Sequence, residues 1–259
     1  MKSLRERLNS GEFFLGTHIH TGEPSLTELA GRCGFDYLWI DTEHTAVDYR
    51  TLQMHLIAAA AAGCPAIVRV PQNEPYLAKR VLDAGPDGII FPNINSPEEA
   101  RKAMDACLYP PDGKRGYGPV RAAGYGLERT EEYLASARGR VCRFVQAEHV
   151  EAVRSLEAIL VVDGIDGVIL GPCDLSGSIG RLGDMDCDEV QELIGRTIEV
   201  CRKRGVPVGV SLGACDGETV LAWKKRGVQF ASAGSEYGFV AACAGQLTAA
   251  VKGRGSERK

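Results

Sequence analysis

The stretch VCRFVQAEHVEAVRSLEAILVVDGIDGVILGPCDLS, Val141–Ser176, decides how this chain folds. It opens on an apolar, β-rich run, Val141–Gln146, passes through a helix-spaced segment, Val150–Leu160, and returns to a short apolar run, Gly167–Leu170. Two short apolar runs with a helix between them are the pattern of parallel strands covered by helices. Just past each run stands a carboxylate, Glu148 in VQAEH and Asp174 in GPCDLS. Two acids placed this way can meet above the C-terminal end of a parallel sheet, where oxygen ligands hold hard divalent cations.

The alternation continues outward in both directions. Further strands are expected near Phe14–His18, Tyr37–Asp41, Ala66–Val70, Gly88–Phe91, Pro207–Ser211 and Val228–Ala233. Helical patterns follow at Leu26–Arg32, Tyr49–Ala62, Pro75–Ala84, Pro97–Cys107, Glu189–Arg204, Glu218–Arg226 and Tyr237–Val251. Gly34, Gly63, Gly85 and Gly205 stand where a left-handed residue ends a helix before the next strand. Eight strand–helix units in this order predict an α/β fold, a single (β/α)8 TIM barrel over 1–259 with a polar, frayed tail from about 252 to 259. On pattern alone a doubly wound sheet also accommodates them. One stretch breaks the rhythm: YPPDGKRGYGPVRAAGYG, Tyr109–Gly126, long, rich in glycine and carrying Arg115, Tyr117 and Arg121. A loop of that length in a compact domain is expected to be functional or to contact another subunit.

Composition narrows the partners. A chain of 259 residues, 44% hydrophobic and 25% charged, can bury one large core. A net charge of −4 with mixed signs supplies no basic face for nucleic acid and no polybasic patch for a membrane, which leaves a small molecule as the expected partner. The nine cysteines contain no CxxC pair and are odd in number, which suits a reducing cytoplasm. The start, MKSLRERLNSGEFF, carries charge where a signal peptide is apolar, and LIAAAAAGCPAIV is too short and too broken to span a membrane.

Charged and polar residues follow the apolar runs repeatedly: Asp41, Glu43 and His44 after YLWI, Arg69 after AIV, Gln146 and Glu148 after VCRFV. Taken singly, Glu148 or Asp174 reads as a helix N-cap or first-turn acid. On consecutive strand ends the pair favours a metal, and two carboxylates leave open positions for water and substrate, as Mg2+ or Mn2+ prefers. Arg69 is either one half of an ion pair with Asp41 or Glu43, or a guanidinium for a carboxylate or developing enolate. His44 suits general base work near neutral pH. His18 and His20 alternate on the first strand toward the same mouth, His149 beside Glu148 is a weaker ligand candidate, and His55 reads as structural. None of the nine lysines ends a strand, which disfavours a Schiff base; a GxSxG serine elbow and a Walker loop are missing too.

WIDTEH, AIVRVP, VLDAG, DGIIFPNINSPEEA, YPPDGKRGYGP with RAAGYG, VQAEH and GPCDLSGSIG, in that order, resemble the HpcH/HpaI class II aldolases. That group includes 4-hydroxy-2-oxoheptanedioate, 2-dehydro-3-deoxyglucarate and 2-keto-3-deoxy-rhamnonate aldolases. The resemblance runs from about Gly11 to Phe239. It implies a barrel of the phosphoenolpyruvate/pyruvate type in a homo-oligomer, commonly a hexamer built as a trimer of dimers. It implies a divalent metal, Mg2+, Mn2+ or Co2+, on Glu148 and Asp174, with Gln146 and the backbone around Pro172 and Cys173 binding pyruvate. Arg69 matches the arginine that stabilises the enolate, His44 the proton acceptor, and Asp83 the acid that raises that histidine's basicity. The implied reaction is reversible cleavage of a 4-hydroxy-2-oxo acid to pyruvate and an aldehyde through a metal-bound pyruvate enolate, and the glycine-rich loop is implied to help build a neighbour's site. The chain departs from the family pattern at Thr45, at Ala147 and His149 flanking Glu148, at Leu108 and at Cys173, positions that bear on substrate specificity. The same enolate would also serve oxaloacetate decarboxylation or a citryl- or malyl-CoA-type lyase, and a non-catalytic 2-oxo-acid-binding homologue is the remaining alternative.

Overall fold

In the structure, a computed structural model that describes residues 2–253, eight parallel strands pair in chain order and close into a barrel, the last onto the first. The strands are β1 (Phe14–Ile19), β2 (Tyr37–Asp41), β3 (Ala66–Arg69), β4 (Gly88–Phe91), β5 (Cys142–Ala147), β6 (Gly167–Leu170), β7 (Val208–Leu212) and β8 (Phe230–Ser235). The helices in chain order are α1 (Leu4–Ser10), α2 (Pro24–Arg32), α3 (Tyr49–Ala61), α4 (Pro75–Asp83), α5 (Pro97–Cys107), α6 (Thr130–Arg140), α7 (Val150–Ile159), α8 (Pro172–Ser178), α9 (Asp188–Arg204), α10 (Gly217–Lys225) and α11 (Glu236–Lys252). Closure decides for the barrel over the doubly wound sheet. Every expected strand and helix is present with ends within two residues of the expectation.

Three helices go beyond the sequence pattern. α1 is short, but it carries a capping box, with Ser3 and Glu6 satisfying each other's backbone N–H groups. α6 follows the long loop and buries only Tyr133. α8 is a brief helix of mostly small residues behind Pro172, too short for a helical period to register. At the other end, α11 continues through Lys252 and closes on a left-handed Gly253, so the expected tail does not begin at 252; 254–259 lie outside the described residues.

Between strands and outer helices lies the main apolar layer, with Leu38, Val68, Ile89, Val168 and Leu170 meeting Leu52, Leu82, Met104 and Ile194. A second cluster fills the N-terminal half of the barrel itself: Phe14, Tyr37, Ile67, Ile90, Phe144, Ile169 and Phe230, closed from below by Leu4 and Leu8 of α1. The Phe14 and Phe230 rings stack at 5.1 Å between centroids, and Phe144 meets Phe230 edge-on at 5.6 Å. Room for them comes from Gly16 and Gly209, where a Cβ would collide with the rings of Tyr37 and Phe230.

α11 is the outlier among the outer helices. Its Tyr237, Val240, Leu247 and Val251 are between 61% and 75% exposed, and its charges are confined to Glu236 and Lys252 at its ends. The loop at 109–126 turns toward the C-terminal end of α4, where Arg121 donates to the carbonyls of Ala84 and Gly85 at 2.8 and 2.9 Å. All nine cysteines are unpaired. No helix among the described residues is long and apolar enough to cross a membrane.

Candidate active site

Alternation along the strands sends every second side chain inward, and at the C-terminal end those side chains become polar. On β2 and just beyond it, Asp41 and Glu43 share the inward face; Asp41 pairs in register with Arg69 at the end of β3. Gln146 on β5 and Glu148 after it share the inward face of the opposite wall. Asp174 lies in the first turn of α8, after β6.

Arg69 forms ion pairs with both Asp41 and Glu43. Its Nε and Nη2 donate to Asp41 Oδ1 and Oδ2 at 2.9 and 2.7 Å, a bidentate pair that fixes the guanidinium plane. Its Nη1 points the other way, 3.0 Å from Glu43 Oε2 and 3.5 Å from Gln146 Oε1. Burial works against the Asp41 charge, but the hydrogen bonds and charge of Arg69 outweigh it and hold that carboxyl below its usual range. Two of the three guanidinium nitrogens are therefore held by Asp41, and the third is turned toward Glu43 and Gln146.

The opposite carboxylates are crowded. Glu148 is 4% exposed; Oε1 accepts from the Asn93 backbone N–H at 2.8 Å and Oε2 from Gln146 Nε2 at 2.7 Å. Burial, added to by the charges of Glu43 and Asp174, pushes its pKa up to about 7. Glu43 is likewise pushed up to about 7, by burial first and then by Asp41 and Asp174, against the pull of Arg69. Its Oε2 is buried without a hydrogen bond, since Arg69 Nη1 approaches outside hydrogen-bonding geometry. Glu43 and Glu148, both raised in part by the charge of Asp174, share one pocket with it, and hard oxygen donors of this kind suit a divalent cation. Among the described residues no three His, Cys, Asp or Glu side chains form a ready-made cage, so an ion here would rest on Glu148 and Asp174 and keep open positions.

A cavity of about 280 Å³ joins these groups, lined by Glu43, His44, Asn93, Glu148, His149 and Asp174. His44 is exposed, with Nε2 3.7 Å from Glu43 Oε2. His149 uses Nδ1 to cap α7, accepting from Glu151 N–H at 3.1 Å. Pro172 is buried at the start of α8 and Cys173 is exposed at its first turn. His18 and His20 do face the mouth from β1, and His20 Nε2 lies 4.0 Å from Asp41 Oδ2. His55 is fully buried in α3, paired with Thr27 Oγ1 at 2.6 Å. Every described lysine lies in a helix, in the 109–126 loop or before α1.

Asp83, expected to act on His44, is not brought to it within one chain. α4 runs back from the C-terminal to the N-terminal end of the barrel, so Asp83 in its last turn lies near the start of β4. There its Oδ1 accepts from Arg115 Nη2 at 2.8 Å, and Arg115 stacks on Tyr109 at 4.5 Å. Glu43, in contrast, is a mouth carboxylate that the sequence places just past the end of β2 but to which it assigns no role beyond pairing with Arg69. The signal was present: DTEH puts Asp41 and Glu43 two apart, on one face of an extended chain.

The sequence profile of the HpcH/HpaI aldolase/citrate lyase family matches residues 15–239. A hydroxypyruvate/pyruvate aldolase from Roseovarius nubinhibens is 34% identical over 247 residues, 95% of each chain. A 2-dehydro-3,6-dideoxy-6-sulfogluconate aldolase from Pseudomonas putida is 36% identical over 241 residues, 93% of each chain. Among solved structures, a HpcH/HpaI aldolase/citrate lyase family protein from Burkholderia cenocepacia superposes with a TM-score of 0.91 at 33% identity, covering 96% of this chain and 98% of that one.

Proposed function

The chain belongs to the HpcH/HpaI aldolase/citrate lyase family, and from that premise we propose that it reversibly cleaves a 4-hydroxy-2-oxo acid to pyruvate and an aldehyde with a divalent metal ion. The observation that carries this reading is the set of three crowded carboxylates, Glu43, Glu148 and Asp174, beside the Nη1 edge of Arg69, which pairs with Glu43. Held by Glu148 and Asp174, Mg2+, Mn2+ or Co2+ would supply Lewis acidity toward the oxygens of the 2-oxo acid.

The chain's own groups do the rest. Gln146, tied to Glu148, and the backbone at Pro172 and Cys173 in the first turn of α8 orient the pyruvyl end. As the C3–C4 bond breaks, its electron pair passes into the enolate, and Arg69 Nη1 stabilises the oxygen on which the charge gathers. His44 takes the C4 hydroxyl proton, directly or through a water, as that carbon becomes the aldehyde. Protonation of the enolate at C3 gives pyruvate; the addition direction reverses each step.

Because Asp83 and His44 stand at opposite ends of one barrel, an Asp83 that tunes His44 would have to come from a second copy. The exposed apolar residues of α11 favour the same conclusion, a homo-oligomer, with the hexamer of the resembled family as the working arrangement. The whole chain, 1–259, then acts as one catalytic barrel, and nine unpaired cysteines fit a reducing cytoplasm.

The test separates the base from the rest of the site. Oxaloacetate decarboxylation reaches the same enolate with no hydroxyl proton to remove. His44→Ala is expected to lower aldol cleavage by roughly 10²–10⁴ while decarboxylation falls far less. Equal loss of both would make His44 a pyruvyl-binding group and move the search for the base to His20.

A further inference from the structure

The mouth has a second wall that the roles above leave unused. It is made by the ends of β1, β7 and β8 and carries His18, His20 and Ser211. His18 Nδ1 lies 2.8 Å from the Gly234 carbonyl oxygen, and His18 Nε2 lies 3.0 Å from Ser211 Oγ. A carbonyl oxygen can only accept, so the hydrogen sits on Nδ1. Burial pushes the His18 pKa down to about 4, which keeps the ring neutral and leaves Nε2 bare. Ser211 must then give its single hydrogen to His18 Nε2. What it shows to the mouth is an oxygen that accepts and cannot donate.

There is room for a ligand beside that oxygen. Ser211 is partly exposed, and Gly213, two residues on and continuing the same face, is a position where a Cβ would meet nothing within 4 Å. The glycines after β6 and near the end of β8 are filled in, since a Cβ at Gly171 would strike Glu148 and one at Gly234 would strike Phe239 and Cys215. His20 borders the same wall, its ring 5.6 Å from that of His18. Neither lysine nor arginine occurs in FLGTHIHT, VGVSLGAC or FASAGSE, and Arg69, the cation whose charge reaches His18, is already paired with Asp41 and Glu43.

We infer that Ser211, oriented by His18, selects the aldehyde half of the substrate: it accepts a hydrogen bond from a hydroxyl on that half, so uncharged hydroxyaldehydes are taken ahead of alkyl aldehydes and of aldehydes bearing a carboxylate. The inference rests on the aldolase reading and adds the substrate class to it. An alkyl group leaves the Ser211 oxygen unpaired, and a carboxylate opposes it with a second acceptor and meets no unpaired lysine or arginine on these strand ends.

The experiment compares aldehydes of matched shape in the addition direction with pyruvate: glycolaldehyde against propanal, and glyceraldehyde against 2-methylbutanal, each corrected for free aldehyde. The wild type is expected to favour the hydroxylated member of at least one pair by about ten-fold or more in kcat/KM. In Ser211→Ala that ratio falls about ten-fold, and in Ser211→Thr, which keeps the hydroxyl, it is retained. Exchange of the pyruvate methyl protons with D2O by the metal-loaded wild type, which involves no aldehyde, runs alongside. If exchange proceeds but the wild type shows no preference, or Ser211→Ala keeps the ratio, the Ser211 subsite is overturned and the aldolase reading stands. If the wild type neither exchanges nor adds pyruvate to any aldehyde, the aldolase reading fails and this inference fails with it.

Discussion

On β5 a single step of two residues, from Phe144 to Gln146, takes the barrel interior from aromatic packing to polar chemistry, and on β2 the step from Trp39 to Asp41 does the same. Below that level Phe14, Tyr37, Phe144 and Phe230 interlock and bury large apolar area, the main favourable contribution to folding. Above it Asp41, Glu43, Arg69 and Glu148 are held out of water, and Glu43 and Glu148 are both pushed up to about 7, so the folded state disfavours their charges. One end of the barrel stabilises the fold and offsets the strain that the other end needs for its chemistry.

The contrast breaks if mutations at the two ends have similar effects. Phe230→Ala is expected to cost about 3–5 kcal/mol of stability in denaturant unfolding, while the folded fraction keeps its kcat. Arg69→Ala is expected to lower kcat by roughly 10²–10³, about 3–4 kcal/mol of transition-state stabilisation, and Arg69→Lys to recover little, because the planar fork is lost. Arg69→Ala also leaves Asp41 buried without its partner and so loses stability; turnover is the deciding readout. Normal turnover in folded Arg69→Ala would reduce Arg69 to an ion pair and erase the distinction.

How far each end could be read from the sequence differs for the same physical reason. Strands buried on both faces write themselves as apolar runs, so β2 through β6 stand out in YLWID, AIVR, GIIF, CRFVQA and GVIL. A charged residue at or just past the end of such a run is conspicuous, which is why Arg69, Glu148 and Asp174 stand out in the sequence as candidates. Asp83 does not, because an acid in the last turn of a helix looks solvated, and only a known family pattern singles it out. The partnership of Arg69 with Asp41 and Glu43 was readable as an alternative, but its division, two nitrogens to Asp41 and one to the mouth, depends on side-chain geometry. The orientation of the His18 ring depends on the Gly234 carbonyl, 216 residues away in sequence.

His18 sits on the boundary between the two ends, and its titration sharpens where that boundary lies. Its pKa is about 4 in the fold, lowered by burial from an ordinary value of 6.5, so between those values the unfolded chain binds the extra proton. Stability from this group is therefore full above about pH 6.5 and lost as pH falls toward about 4, on the order of 3 kcal/mol in all. Comparing unfolding of wild type and His18→Asn across that range isolates it from the carboxylates. Parallel pH profiles for the two proteins would mean that His18 is solvated and that the polar mouth reaches deeper than the structure places it.

The central claim is that the crowded carboxylates of the mouth need a divalent cation to work. It is tested most directly by pyruvate release from a 4-hydroxy-2-oxo acid, using protein exhaustively treated with EDTA and then supplied with single metals. The account predicts no release from the stripped protein, recovery with Mg2+, Mn2+ or Co2+, and no inactivation by borohydride in the presence of pyruvate. Full release from the stripped protein, or borohydride inactivation that reveals an imine on a lysine, would contradict it.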